Sequence, residues 1–92
     1  MDRKAARAFI VQLIINHHEA IVRFFLGKEM PPSAAADKAG EVFANAYVAL
    51  LASGPPLAHK EASWLHRVAA NVAHGIPNEQ RLPAQKDRLS RR

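Results

Sequence analysis

The chain has 92 residues, 49% of them hydrophobic, which is enough for one domain with one core and too little for two. Thirteen Lys and Arg residues against eight Asp and Glu residues give a formal net charge of +5, which favours a polyanionic partner, above all nucleic acid. The absence of cysteine excludes disulfides and thiolate metal sites, is typical of a reducing compartment, and predicts a cytoplasmic protein.

The first predicted element is one long helix, or two joined helices, over residues 3–28. Gly27 and the pair Pro31 and Pro32 are expected to end it. The uninterrupted apolar run inside it is far shorter than the roughly 20 residues of a membrane span, and no small-residue cleavage site follows, so we expect neither a membrane contact nor a signal peptide. Apolar residues expected to face the core recur at helical spacing, at positions 6, 10, 13, 14, 20, 21, 24 and 25.

The second predicted helix starts with Ser33 as its N-cap and ends near Ala52, before a Ser-Gly-Pro-Pro turn. Asp37 and Glu41 form a small acidic face on this helix. The opposite face is apolar, at positions 39, 42, 43, 46, 47 and 50.

The third predicted helix begins around residues 59–61 and continues to Gly75, and Pro77 must break or kink it. One side is apolar and suited to a core, with Trp64, Leu65, Val68, Val72 and Ile76. The other side offers hydrogen-bond donors to an anion or a base, from Ser63, Arg67, Asn71 and His74.

No segment alternates apolar and polar residues with period two, so no sheet is expected. The sequence predicts a compact all-α domain of three to four helices over residues 1–77. Residues 78–92 form a basic polar tail, in which five Lys or Arg residues against Glu79 and Asp87 give a net charge of +3.

Three segments within residues 8–81 resemble region 2 of the extracytoplasmic-function sigma factors, which direct bacterial RNA polymerase to promoters. Residues 13–25 are similar to that family's opening helix, a Leu-x-x-x-His-His pattern followed by an apolar run with an Arg. Residues 36–43 are similar to its polymerase-binding helix, Asp-Asp-x-x-Gln-Glu/Asp-x-Phe. Residues 64–73 are similar to its promoter helix, an aromatic-Leu pair followed by x-x-Ile-Ala-x-Asn-x-Ala.

The resemblance implies a transcription initiation domain whose partners are core RNA polymerase and promoter DNA. It implies that the −10 strand is contacted by Arg67, Asn71, His74 and Arg81. It implies that polymerase is bound by Asp37, Glu41 and Asn45. The segment 53–60 lies where the family holds an unstacked base.

Several positions depart from the family pattern. Of the family's Asp pair only Asp37 is present, Gly40 stands where the family has Gln, and Lys38 stands where it has an apolar residue. These three differences weaken the polymerase-binding surface. Pro77 interrupts the promoter helix, so Arg81 must reach DNA from a different direction. The family's helix-turn-helix region is not found in these 92 residues, so we expect either an excised domain or a one-domain relative.

Each of these residues also has a purely structural explanation. Trp64 suits a core, Arg67 and Asn71 suit an ordinary solvated face, and acids near a helix start are favoured by the helix dipole. The rival functional hypothesis is accordingly a sigma-like decoy, a regulatory module that binds an anti-sigma factor. A third hypothesis is a small basic helical protein that binds nucleic acid nonspecifically.

The five histidines do not form a metal-binding or catalytic pattern. His17 and His18 diverge around a helix, and His59 and His66 have no carboxylate at ligand spacing. No Ser or Asp is placed as a nucleophile beside a base, and no Gly-rich phosphate loop is present. The sequence therefore predicts a protein that is not an enzyme and that needs no metal or cofactor.

Overall fold

Three α-helices make up the fold in the computed structural model, which describes residues 1–75. They are α1 (Arg3–Leu26), α2 (Pro32–Ser53) and α3 (Glu61–Ala73), and a short 3₁₀ turn (Ala58–Lys60) precedes α3. No strand occurs within residues 1–75, so the prediction of a compact all-α domain is confirmed, with three helices. The predicted tail over 78–92 and the predicted break at Pro77 lie outside the described residues.

Helix α1 is a single continuous helix rather than two joined ones. Its start is capped by Asp2, whose carboxylate accepts a hydrogen bond of 2.7 Å from the amide of Ala5. It ends at Leu26 with Gly27 as its C-cap, which confirms the predicted stop at Gly27. Lys28, the approximate end of the predicted range, lies instead in a turn with Glu29, and their N–H groups donate to the carbonyls of Phe25 and Leu26. Glu29 has a φ of 67°, in the left-handed region that non-glycine residues rarely adopt.

The prediction that Ser33 caps α2 was wrong. The N-cap lies two residues earlier, at Pro31, so the first helical residue is Pro32, and no side chain caps the helix. Proline suits the first helical position because its fixed φ is already helical and its missing N–H would have no partner there. At the other end, Gly54 has a φ of 81° and donates its N–H to the carbonyl of Leu50, as expected for a glycine that ends a helix.

The core lies between the three helices. Helix α2 contacts both α1 and α3, and the short connection after Leu26 makes α1 and α2 antiparallel neighbours. Most of the predicted core positions are buried. Ile14 and Ala20 were expected to face the core but are exposed. The buried apolar cluster comprises Ala6, Ile10, Leu13, Ile21, Phe25, Ala35, Ala39, Val42, Phe43, Ala46, Leu50, Leu65, Val68, Ala69 and Val72.

Helix α3 buries Leu65, Val68 and Val72, as its apolar stripe predicts. It ends at Ala73, two residues before the predicted end, because Gly75 has a φ of 72° and its N–H bonds back to the carbonyl of Val72. Trp64 is half-buried and packs against the edge of the core. Ile76, the last predicted member of the stripe, lies outside the described residues.

One helix in the described part of the chain, α1, is long and apolar enough to cross a membrane by length and composition. Helices in the cores of soluble proteins meet the same two criteria, so this is weak evidence for a membrane span. Part of its apolar surface faces outward in this fold, since Val11, Ile14 and Ile15 are 46%, 37% and 68% exposed.

Candidate functional site

The polar side of α3 is open to solvent. Arg67 and His74 are exposed, and Asn71 is half-buried. Steps of four and three residues along a helix keep side chains on one side, so these three residues share the face opposite the buried stripe. His74 is the last of them, at the C-cap, where its N–H bonds to the carbonyl of Ala70 at 3.0 Å.

This face combines one permanent cation with groups that both donate and accept hydrogen bonds. An Arg guanidinium binds phosphate oxygens, and an Asn amide reads the edge of a base, because each presents matching donors and acceptors. Arg67 makes no ion pair within residues 1–75, so its charge is available to a ligand. Arg81, the fourth predicted DNA contact, lies outside the described residues.

The predicted polymerase-binding residues share one side of α2. Asp37, Glu41 and Asn45 are four residues apart; the first two are exposed and Asn45 is half-buried. The Nζ atom of Lys38 lies 3.3 Å from Oε1 of Glu41, so the two charges offset each other. This exposed pair adds little to stability. Because Glu41 is paired with Lys38, Asp37 is the carboxylate of this face that makes no ion pair within residues 1–75.

Gly40 stands beside that acidic face in the middle of α2. A Cβ atom built there meets nothing within 4 Å, so the position is open to larger side chains. The glycine is therefore not required by packing. In a helix interior, glycine lowers the free energy of unfolding by about 1 kcal/mol relative to Ala, because a chain with glycine loses more conformational entropy when it folds.

Two histidines attach α3 to α1. The Nε2 atom of His17 lies 3.7 Å from Oε1 of Glu61, at the first residue of α3. One turn later, the ring of His66 packs edge-on against Phe24, with centroids 5.9 Å apart, and its Nδ1 lies 3.0 Å from the carbonyl oxygen of Ala62. Sequence reasoning missed both contacts, because they join residues far apart in the chain.

The segment 53–60, predicted to hold an unstacked base, is an exposed turn. Leu57 in it is 66% exposed, and His59 and Lys60 also face solvent. An open cleft lies beside the end of this segment, at the start of α3. Two amides, one carboxylate, one aromatic and one aliphatic side chain line it, from Phe9, Gln12, Leu13, Asn16 and Glu61.

Within residues 1–75 no group of three or more His, Asp or Glu side chains is arranged to hold a metal ion. No family model, curated protein or solved structure matches the chain. The functional argument therefore depends on the residues and their placement.

Proposed function

We propose that this chain is a transcription initiation domain, similar to region 2 of extracytoplasmic-function sigma factors, that binds core RNA polymerase and the −10 promoter strand in the cytoplasm. The observation that carries the proposal is the polar face of α3, where Arg67, Asn71 and His74 are presented together on a helix whose other side is buried. The net charge of +5 supports an anionic ligand.

In this proposal Arg67 contacts a phosphate and fixes the position of the strand. Asn71 and His74 then reach the edges of unpaired bases, and so supply the sequence preference. Each good base contact contributes roughly 1–3 kcal/mol, so the domain alone binds DNA weakly and depends on polymerase for affinity.

Polymerase docking is assigned to the side of α2 that carries Asp37, Glu41 and Asn45. The exposure of both carboxylates supports this assignment, because a docking surface must be reachable before binding. On binding, a cation of the partner competes with Lys38 for Glu41. That exchange costs little free energy, because an exposed ion pair contributes only about 0–1 kcal/mol to stability.

The second candidate is a sigma-like decoy that binds an anti-sigma factor through the same helical surface. The ion pair of Lys38 with Glu41 and the absence of a side chain at Gly40 favour it, since both weaken the acidic face. A decoy needs no DNA preference and no productive contact with polymerase.

The two candidates are separated by strand binding in the presence of core polymerase. The full chain is mixed with core enzyme and titrated with labelled single-stranded DNA that carries either a −10 element or a scrambled sequence of the same composition. The proposal expects tighter binding of the −10 strand. Equal affinity for both strands across a salt series would favour the decoy.

Two substitutions assign the contacts. Arg67→Ala should weaken binding to both strands and make it less dependent on salt, because one phosphate contact is lost. Asn71→Ala should mainly remove the difference between the strands. Arg3→Ala, which removes an exposed Arg of α1 outside the polar face of α3, is the matched control for Arg67→Ala and should change neither property.

A further inference from the structure

The cleft lined by α1 and the first residue of α3 has a volume of about 310 Å³. Its apolar lining is the buried Leu13 and the half-buried Phe9, whose ring also packs against the core. Its polar lining is Gln12 and Asn16 of α1 and Glu61 of α3. Small-molecule pockets begin at roughly this volume, so the cleft suits a ligand group the size of one side chain rather than a large cofactor.

The two amides of the cleft are free to bind a ligand. Gln12 and Asn16 are four residues apart, so they lie on one side of α1. Within residues 1–75 neither side chain takes part in a hydrogen bond. Each amide has a carbonyl oxygen that accepts and an NH₂ group that donates, so the cleft offers two acceptors besides the carboxylate.

Glu61 is a half-buried carboxylate with no permanent cation beside it. It lies on the same side of α3 as Leu65 and Val68, which are buried, and its side chain is 31% exposed. Partial burial of a negative charge costs free energy unless a partner offsets it. The nearest such group, Nε2 of His17, is 3.7 Å away, which is too far for a hydrogen bond, and it is charged only when protonated.

The positive charges of α1 and of the turn before α3 do not offset Glu61. Arg7 lies on the side of α1 opposite the cleft, because each residue turns the helix by about 100°. Arg23 shares the cleft side but is paired with Glu19 at 2.7 Å. Lys60 precedes Glu61 in the chain, is exposed, and makes no ion pair within residues 1–75. The cleft therefore has negative charge in a chain whose net charge is +5.

This combination of groups favours a planar cation. A guanidinium is permanently charged, carries five N–H donors in one plane and stacks on aromatic rings, so it can use the carboxylate, the amide oxygens and Phe9 together. An ammonium is more strongly hydrated and has no planar face to stack. A nucleobase brings no positive charge to Glu61, and its attached phosphate would be repelled by the carboxylate.

We propose that this cleft binds a guanidinium group, supplied either by an Arg side chain of a partner protein or by a small guanidinium compound. Glu61 accepts hydrogen bonds from the guanidinium and offsets its charge. The carbonyl oxygens of Gln12 and Asn16 accept further N–H groups, and the ring of Phe9 attracts the cation. None of these residues belongs to the polar face of α3 or the acidic face of α2, so the proposal does not depend on the proposed function.

The test is a titration of the ¹⁵N-labelled full chain with butylguanidinium, followed by NMR. The side-chain NH₂ signals of Gln12 and Asn16 report on the cleft directly, together with the backbone signal of Glu61. We expect saturable shifts of these signals with a dissociation constant on the order of 1 mM, as for a good ligand of so few atoms. Butylurea, which is neutral and has the same shape, should bind at least about tenfold more weakly, because it lacks the charge. Butylammonium should bind about threefold more weakly, because it makes fewer directed contacts.

Matched variants locate the site. Glu61→Gln keeps the shape of the side chain and should weaken butylguanidinium binding at least about tenfold, because a charge-assisted pair is lost. Gln12→Ala changes an exposed residue, so the fold is retained, and it should weaken binding about threefold. Glu41→Gln makes the same chemical change on α2 and should leave binding unchanged. Circular dichroism of each variant checks that the helices remain folded.

A second ligand distinguishes the two sources of the guanidinium. It is a short peptide with one Arg between alanines and with both termini blocked, so that its only charge is the guanidinium. Binding at the same signals with at least about tenfold higher affinity than butylguanidinium would identify a partner protein, because backbone contacts add to those of the side chain. Binding of butylguanidinium without any gain for the peptide would identify a small guanidinium compound.

Four outcomes would overturn the proposal. Equal affinity for butylurea would show that the charge plays no part. Equal affinity for butylammonium would show that the cleft does not select a guanidinium. An equal effect of Glu61→Gln and Glu41→Gln would show that butylguanidinium pairs with surface carboxylates without a specific site. Tighter binding of cytidine than of butylguanidinium at the same signals would make the cleft a nucleobase site.

Discussion

The Nε2 atom of His17 in α1 lies 3.7 Å from Oε1 of Glu61 in α3, and this half-buried contact, which is an ion pair only while His17 is protonated, joins the two helices. The contact involves the first residue of α3, whereas the direction of the polar face of α3 is set by the burial of Leu65, Val68 and Val72 on its other side.

The first prediction concerns that pair. A double-mutant cycle with His17→Ala and Glu61→Ala should give a coupling free energy of up to about 1 kcal/mol, because partly exposed ion pairs are screened by water. The measurement is urea unfolding of the four proteins. His18→Ala is the control: its ring stacks on Phe43 instead, 6.1 Å away, so it should show no coupling to Glu61. Equal coupling for both histidines would contradict the specific link.

The second prediction concerns polymerase docking. Asp37→Lys combined with Glu41→Lys should abolish pull-down of core polymerase and leave the fold intact, because surface changes usually alter stability by no more than about 0.5 kcal/mol. The matched control is Glu19→Lys with Glu29→Lys, which changes the net charge equally and also removes one ion-paired acid. Unchanged pull-down by the folded α2 variant would refute the sigma-like function.

The third prediction uses the open space at Gly40. Gly40→Ala and Gly40→Gln should each stabilise the protein by about 1 kcal/mol, because both residues are better helix formers than glycine and neither meets an obstacle. Only Gly40→Gln restores the amide expected in a sigma-type polymerase helix, so it alone should strengthen polymerase binding. Equal binding by the two variants would show that the restored amide makes no contact.

The fourth prediction concerns Trp64. Because it is half-buried at the edge of the core, Trp64→Ala should destabilise the protein by about 2–3 kcal/mol, below the ~3–5 kcal/mol typical of a fully buried aromatic. The native emission spectrum should be shifted moderately to the blue and move to the red on unfolding. A spectrum already typical of water in the native protein would instead leave Trp64 free to stack on a base.

Much of the fold could be predicted from sequence because α2 and α3 each have one apolar face. Periodicity places Val42 and Val68 in the core without reference to other helices. Helix α1 is different, because it has apolar residues on two sides. Spacing alone could not show that Ile10 is buried while Ile14 is exposed; that choice depends on where α2 and α3 pack.

Part of the candidate site could also be predicted from the periodicity of a single helix. Residues that share a helix face, such as Arg67 and Asn71, follow from local geometry once the helix is recognised. The contact of His17 with Glu61 spans two helices and a connection, so it required the tertiary arrangement. The stop of α1 at Gly27 was predictable, but helical periodicity could not show the turn with a left-handed residue at Glu29 that follows it.

That left-handed residue has a consequence for how the helical hairpin responds to mutation. A non-glycine residue held at a φ of 67° costs about 1–2 kcal/mol, so the corner between α1 and α2 is maintained by the packing on either side of it. Glycine at this position would remove this conformational cost, but it would also let the backbone of the corner adopt more conformations. With Glu29 the backbone of the corner is more restricted, so the angle between α1 and α2 is more narrowly defined. The restriction lowers the free energy of unfolding.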